Sequence, residues 1–145
     1  MKKSILLTTF SIYLLTSCHD DYDGSVKPLL KDKVVEYALH ANTDYLASTH
    51  DNLKISIYLA TGTRSETDWV YKTTWDTLIS NVPAKDLMTL DKYTKTIYLN
   101  DVDVYSEQVW YARNIEYDND GAKTFVGKTS FVGSQTMHHK EKVYF

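Results

Sequence analysis

The sequence predicts an all-β protein: a single antiparallel domain of about eight short strands, arranged as a small up-and-down barrel. Three observations predict it. Apolar residues recur at every second position through most of the chain, the period of a strand with one face in a core and one in water. The residues at those positions are β-branched or aromatic, and the chain holds 12 tyrosines and 3 tryptophans among its 145 residues. Such side chains pack well on a pleated surface. The breaks between runs carry Gly, Asn, Asp or Pro, which tolerate or impose the backbone angles of turns. A chain of this length makes one domain.

The elements follow in order. Val35, Tyr37 and Leu39 alternate with Glu36, Ala38 and His40. Leu53, Ile55, Ile57 and Leu59 alternate with Lys54, Ser56, Tyr58 and Ala60. Thr61-Gly62-Thr63-Arg64-Ser65 reads as the break before the next run, in which Trp69, Tyr71, Thr73 and Trp75 share a face. Pro83 lies where a ladder N–H would otherwise be needed, and Ala84 to Leu90 suits a helical turn. Tyr93, Lys95, Ile97 and Leu99 form a weaker run, and Val109, Tyr111, Arg113, Ile115 and Tyr117 a strong one. Asp118-Asn119-Asp120-Gly121 is the best hairpin signal, because Asp, Asn and Gly accept the positive φ of a tight turn. Thr124 to Val132 and Glu141 to Phe145 are further β-rich runs.

Trp110 to Gly121, a tyrosine-containing strand ending in a polar turn with glycine, resembles the F strand and F–G turn of a fibronectin type III domain. That resemblance implies a sandwich of fibronectin type III or immunoglobulin-like kind. The barrel is preferred because closure removes exposed edges.

Met1-Lys2-Lys3 is basic, Ser4 to Leu15 is apolar but shorter than the ~20 residues of a membrane span, and Leu15-Thr16-Ser17-Cys18 follows. The order is that of a signal peptide. The last four residues resemble the lipobox of bacterial lipoproteins, which implies acylation of Cys18 after removal of residues 1–17. Cys18 is the single cysteine, so no disulfide is expected. Residues 18–30 read as the lipidated cysteine and an acidic tether closed by Pro28, and residues 31–145 as the β domain. The acidic cluster His19-Asp20-Asp21-Tyr22-Asp23 resembles the surface-export signal of Bacteroidota lipoproteins. It implies a lipid-anchored protein of the outer membrane, exposed at the surface.

A formal charge of -3 offers no basic footprint for nucleic acid. The chain has no His-Glu-x-x-His, Gly-x-Ser-x-Gly or phosphate-binding glycine loop, so neither catalysis nor a cofactor is expected. His138-His139 would point to opposite faces of a strand and not to one metal. Asp101, Asp103, Asp118 and Asp120 lie in two stretches, neither with the spacing of a calcium loop, and no metal site is expected. Trp69, Tyr71 and Trp75 read as core first and as a stacking platform second.

Leu15-Thr16-Ser17-Cys18, the mature length of 128 residues, the lack of disulfides and the dense β pattern resemble the potempins in format. These are small outer-membrane β-barrel lipoproteins of Bacteroidota that inhibit secreted peptidases. The resemblance implies a non-catalytic inhibitor that protects the cell surface, with a secreted bacterial or host peptidase as partner. It carries over no inhibitory residue. Inhibition needs a preorganised loop, and three stretches offer one: Thr61 to Asp68 with Arg64, Asn81 to Lys85 with Pro83 and Lys85, and Ser134 to Lys140 with Met137, His138 and His139. The alternative is a surface module that binds glycan or protein in an uptake or adhesion system.

Overall fold

The structure is a computed structural model and describes residues 26–145. The expected signal peptide, Cys18 with its expected acylation, and the acidic cluster therefore lie outside the described residues. Seven strands are present among them: β1 (Leu30–His40), β2 (Leu53–Ser65), β3 (Tyr71–Pro83), β4 (Thr94–Asp103), β5 (Glu107–Asn119), β6 (Ala122–Val132) and β7 (His138–Tyr144). A single helical turn, α1 (Ala84–Leu87), and a 3-10 turn at Met88–Leu90 occupy the stretch expected to be helical.

The strands form two sheets, one of order β4-β1-β7 and one of order β3-β2-β5-β6. This corrects the barrel. The connections Val104–Ser106 and Gly133–Met137 carry the chain from one sheet to the other. Neither β3 with β4 nor β6 with β7 then forms a ladder, and both sheets keep two edges. A sandwich of two sheets is the architecture instead, with β5 and β6 joined by the Asp120-Gly121 hairpin. Pairing is antiparallel except between β1 and β7, which run parallel.

The second correction concerns Thr61 to Ser65, which continues β2 rather than ending it. Gly62 misled because glycine also marks bulges and close backbone approach within strands. The β2–β3 register shifts between Thr61 and Gly62, and a Cβ at Gly62 would stand 1.8 Å from the Lys72 carbonyl oxygen. At Asp120-Gly121 the expected tight turn forms, with φ of 51° and 90°, between the paired residues Asn119 and Ala122.

Val35, Tyr37 and Leu39 of β1 pack with Ile55, Ile57 and Leu59 of β2 and with Val109, Tyr111 and Ile115 of β5 in one core. Tyr37 spans the two sheets. Its hydroxyl donates to the Ala60 carbonyl and lies 2.8 Å from Thr61 Oγ1. Burial pushes its pKa up to about 12, because the phenolate would have to shed its water.

Lys33 follows the same inward alternation and is buried. Its Nζ donates to the carbonyls of Gly133 (3.3 Å) and Ser134 (2.7 Å). That fastens β1 to the β6–β7 connection, and burial holds the Lys33 pKa below its ordinary value.

Candidate functional site

Chain direction sorts the molecule into two ends. The near end holds the start of β1, the end of β4 and the β2–β3, β4–β5 and β6–β7 connections. Backbone bonds tie it together, from Glu66 N to Ser106 O (2.8 Å) and from Val104 N to Leu29 O (3.0 Å). The described chain enters the fold here. The far end holds the β1–β2 segment, the α1 region and the Asp120-Gly121 turn.

Arg64 belongs to the near end. It lies in β2 opposite Gln108 and is only 8% exposed, so it is not the solvated turn residue the sequence suggested. Its guanidinium carbon sits 4.2 Å from the Trp69 ring and 4.2 Å from the Phe131 ring, and Nη2 donates to Gln108 Oε1. Trp110 closes the layer. Its indole N–H donates to the Thr63 carbonyl at 3.1 Å, and its ring meets Tyr71 edge-on at 5.8 Å. Arginine is consumed as a packing element here, because its flat, weakly hydrated cation stacks on aromatic faces. It is not free to enter a peptidase pocket.

The aromatic run divides. Trp75 packs against the core, whereas Trp69 is 63% exposed and sits at φ 60°, a backbone region that bulky residues rarely occupy.

His138 and His139 are strand residues of β7 rather than loop residues. His138 Nε2 faces Glu36 at 3.5 Å. His139 turns inward and lies 4.5 Å from the Tyr111 ring. Beside it Glu141 is buried, 3.4 Å from Lys128 Nζ and 3.7 Å from Arg113 Nε. The free part of the expected Ser134–Lys140 loop shrinks to the short segment ending at Met137.

Pro83 and Lys85 lie at the far end. Pro83 closes β3, and Lys85 is exposed on α1, so Asn81 to Lys85 is a strand end and a helical turn rather than one extended loop. The three expected loops are thus split between opposite ends. The acidic residues are split as well: Asp101 and Asp103 are near, Asp118 and Asp120 far. Asp103 serves structure. Its carboxylate accepts from the Ser106 hydroxyl (2.6 Å) and from Tyr105 N (3.1 Å), which holds its pKa down.

The segment of residues 41–52, which joins β1 to β2, was missed as a site. Tyr45 is buried and stacks on Phe145 with ring centroids 6.2 Å apart. Leu46, next to it, is 70% exposed. Asp44 Oδ1 accepts from Leu46 N at 3.1 Å, the Asx turn that fixes such a residue. Lack of alternation hid this segment, although Asn42-Thr43-Asp44 before an aromatic–aliphatic pair was a readable cue. Compared with protein-family models, curated proteins and solved structures, the chain matches none.

Proposed function

We propose that this protein is a lipid-anchored, outer-membrane inhibitor of secreted peptidases, non-catalytic, with its far end as the contact surface. The observation that carries the reading is the Tyr45–Leu46 pair: an exposed apolar side chain held beside a buried aromatic, at the end opposite to where the chain enters the fold. A protein tethered at its near end offers its far end to passing macromolecules. Leu46 stands in a turn and not on an extended strand. A peptidase cleft takes extended backbone for cleavage, so a projecting Leu46 fills a side-chain subsite without presenting a scissile bond in register. Fixing the loop in advance lowers the entropy lost on binding. Lys85 is exposed on α1 at the same end of the fold.

Stoichiometric inhibition assays of the full acylated protein against serine, cysteine and metallopeptidases of the same organism and of a host test the reading. Inhibition of at least one enzyme, lost in Leu46→Asp while the fold is kept, is the expected result. Silence across the panel, with binding on a glycan array, would establish the glycan-binding module instead.

A further inference from the structure

We infer that the near end of the sandwich is a membrane-contacting face, which seats the domain on the lipid surface that holds its own anchor. The inference rests on the lipid-anchor reading of Cys18 and goes beyond it, since an anchor alone leaves the orientation of the domain open. It begins with the side chains exposed at the end where the chain enters the fold. Every connection at the near end carries an exposed apolar or aromatic side chain: Trp69 and Val70 between β2 and β3, Tyr105 between β4 and β5, and Met137 between β6 and β7. Leu29, also exposed, precedes β1 at the same end. These residues are discontinuous in sequence and are gathered only by the fold. The far end exposes apolar side chains as well, Leu46 between β1 and β2 and Tyr93 before β4, so nearness to the anchor, and not apolarity alone, sets the near end apart.

Chain length keeps this face close to the lipid that would hold the anchor. From Cys18 to Leu30 are 12 residues, a span of at most ~40 Å at full extension. The first strand starts at the near end, so an acylated Cys18 keeps this end within that distance of the bilayer. The residue types also fit. Tryptophan and tyrosine settle at the level of the lipid headgroups, where an aromatic body meets a polar edge. Trp69 is held out at φ 60°, with Arg64 packed 4.2 Å from its ring. Asp68 Oδ1 accepts from Val70 N at 3.2 Å, which fixes the same turn. Charge at this end is of both signs, with Lys72 3.7 Å from Glu107 and Lys31 next to Asp32 in the chain, so the contact is apolar rather than electrostatic.

The experiment uses the full acylated chain in phosphatidylcholine vesicles whose acyl chains carry bromine, a short-range quencher of tryptophan. Mass spectrometry of Cys18 is run on the same preparation. We expect strong quenching that is lost in Trp69→Phe, because Trp75 and Trp110 are packed within the protein, and that is insensitive to added salt. Val70→Asp, which keeps the Trp69 reporter, should reduce the quenching while acylation and vesicle association persist. An acylated, vesicle-bound protein with Trp69 unquenched would overturn the membrane contact and leave the anchor intact. An unmodified Cys18 would overturn the anchor and this inference with it. Trp69 shielded from both bromolipid and aqueous acrylamide would assign the face to a protein, or to a second copy of this chain, and would equally overturn it.

Discussion

The two ends of the sandwich are held by different physics. At the far end an apolar plug does the holding: Phe145 is fully buried, stacks on Tyr45, and exchanges backbone bonds with His40 and Asn42 at 3.0 and 2.7 Å. Ala84 and Leu87 of α1 join the same core. At the near end polar and aromatic groups do it. Lys33 is tied to two carbonyls, Asp103 to a hydroxyl and backbone amides, and Arg64 to two rings. Apolar anchoring buries its own side chains and leaves a neighbour such as Leu46 free to project. Cation stacking on an outer face leaves the far sides of the rings in solvent. The first arrangement suits a rigid contact loop, and the second suits a face that meets another apolar phase.

The strongest test of that contrast is Phe145→Ala, which should cost ~3–5 kcal/mol, the usual penalty for emptying a buried aromatic site. Chemical denaturation measures it. Hydrogen exchange should show protection falling first around Tyr45, and uniform loss over both ends would show that one core holds them together.

Tyr37, between the ends, supplies the next effect. In the unfolded chain it gives up its proton near pH 10, and in the fold only near 12. Its stabilising contribution is therefore complete below pH 10 and is lost as the pH rises to 12, by about 2–3 kcal/mol. Tyr37→Phe should flatten that part of the stability–pH curve while costing ~1–2 kcal/mol at neutral pH.

Arg64→Ala should follow, at about 1–2 kcal/mol, through lost stacking on Trp69 and Phe131. Arg64→Lys should rescue little of it, because an ammonium neither stacks flat nor forms the same fork of hydrogen bonds. An Arg64→Ala variant that stays stable yet loses peptidase inhibition would move the contact surface to the near end.

Gly121→Ala should cost ~1 kcal/mol, since L-residues are disfavoured in the left-handed region, and thermal unfolding resolves that shift. The smallest stability effect belongs to Leu46→Asp, within about 0.5 kcal/mol as for other exposed substitutions. Its separation from a large loss of inhibition is what sharpens the contrast between the ends.

Strand identity was legible wherever one face meets water and the other the core. Val35, Tyr37 and Leu39, then Ile55, Ile57 and Leu59, are buried as their alternation implies. The helical turn after Pro83 and the Asp120-Gly121 hairpin were legible for local reasons, because each depends on the backbone preferences of a few adjacent residues. Gly62 shows where local reasoning fails. The same residue type serves a turn and a bulge, and only the Lys72 carbonyl, delivered by β3, distinguishes them.

Composition and period were thus enough for an all-β chain, because the choice between strand and helix is made by neighbours two to four residues apart. Sandwich rather than barrel, the parallel β1–β7 pair, and the separation of Arg64 and Met137 from Pro83 and Lys85 were decided in three dimensions. Those features depend on which strands pair across long stretches of chain, and alternation is identical for every partner a strand could take. The candidate surfaces share that dependence. Leu46 becomes prominent because Phe145, 99 residues away, holds Tyr45, and Trp69, Tyr105 and Met137 become one face because three connections end at the same side of the fold.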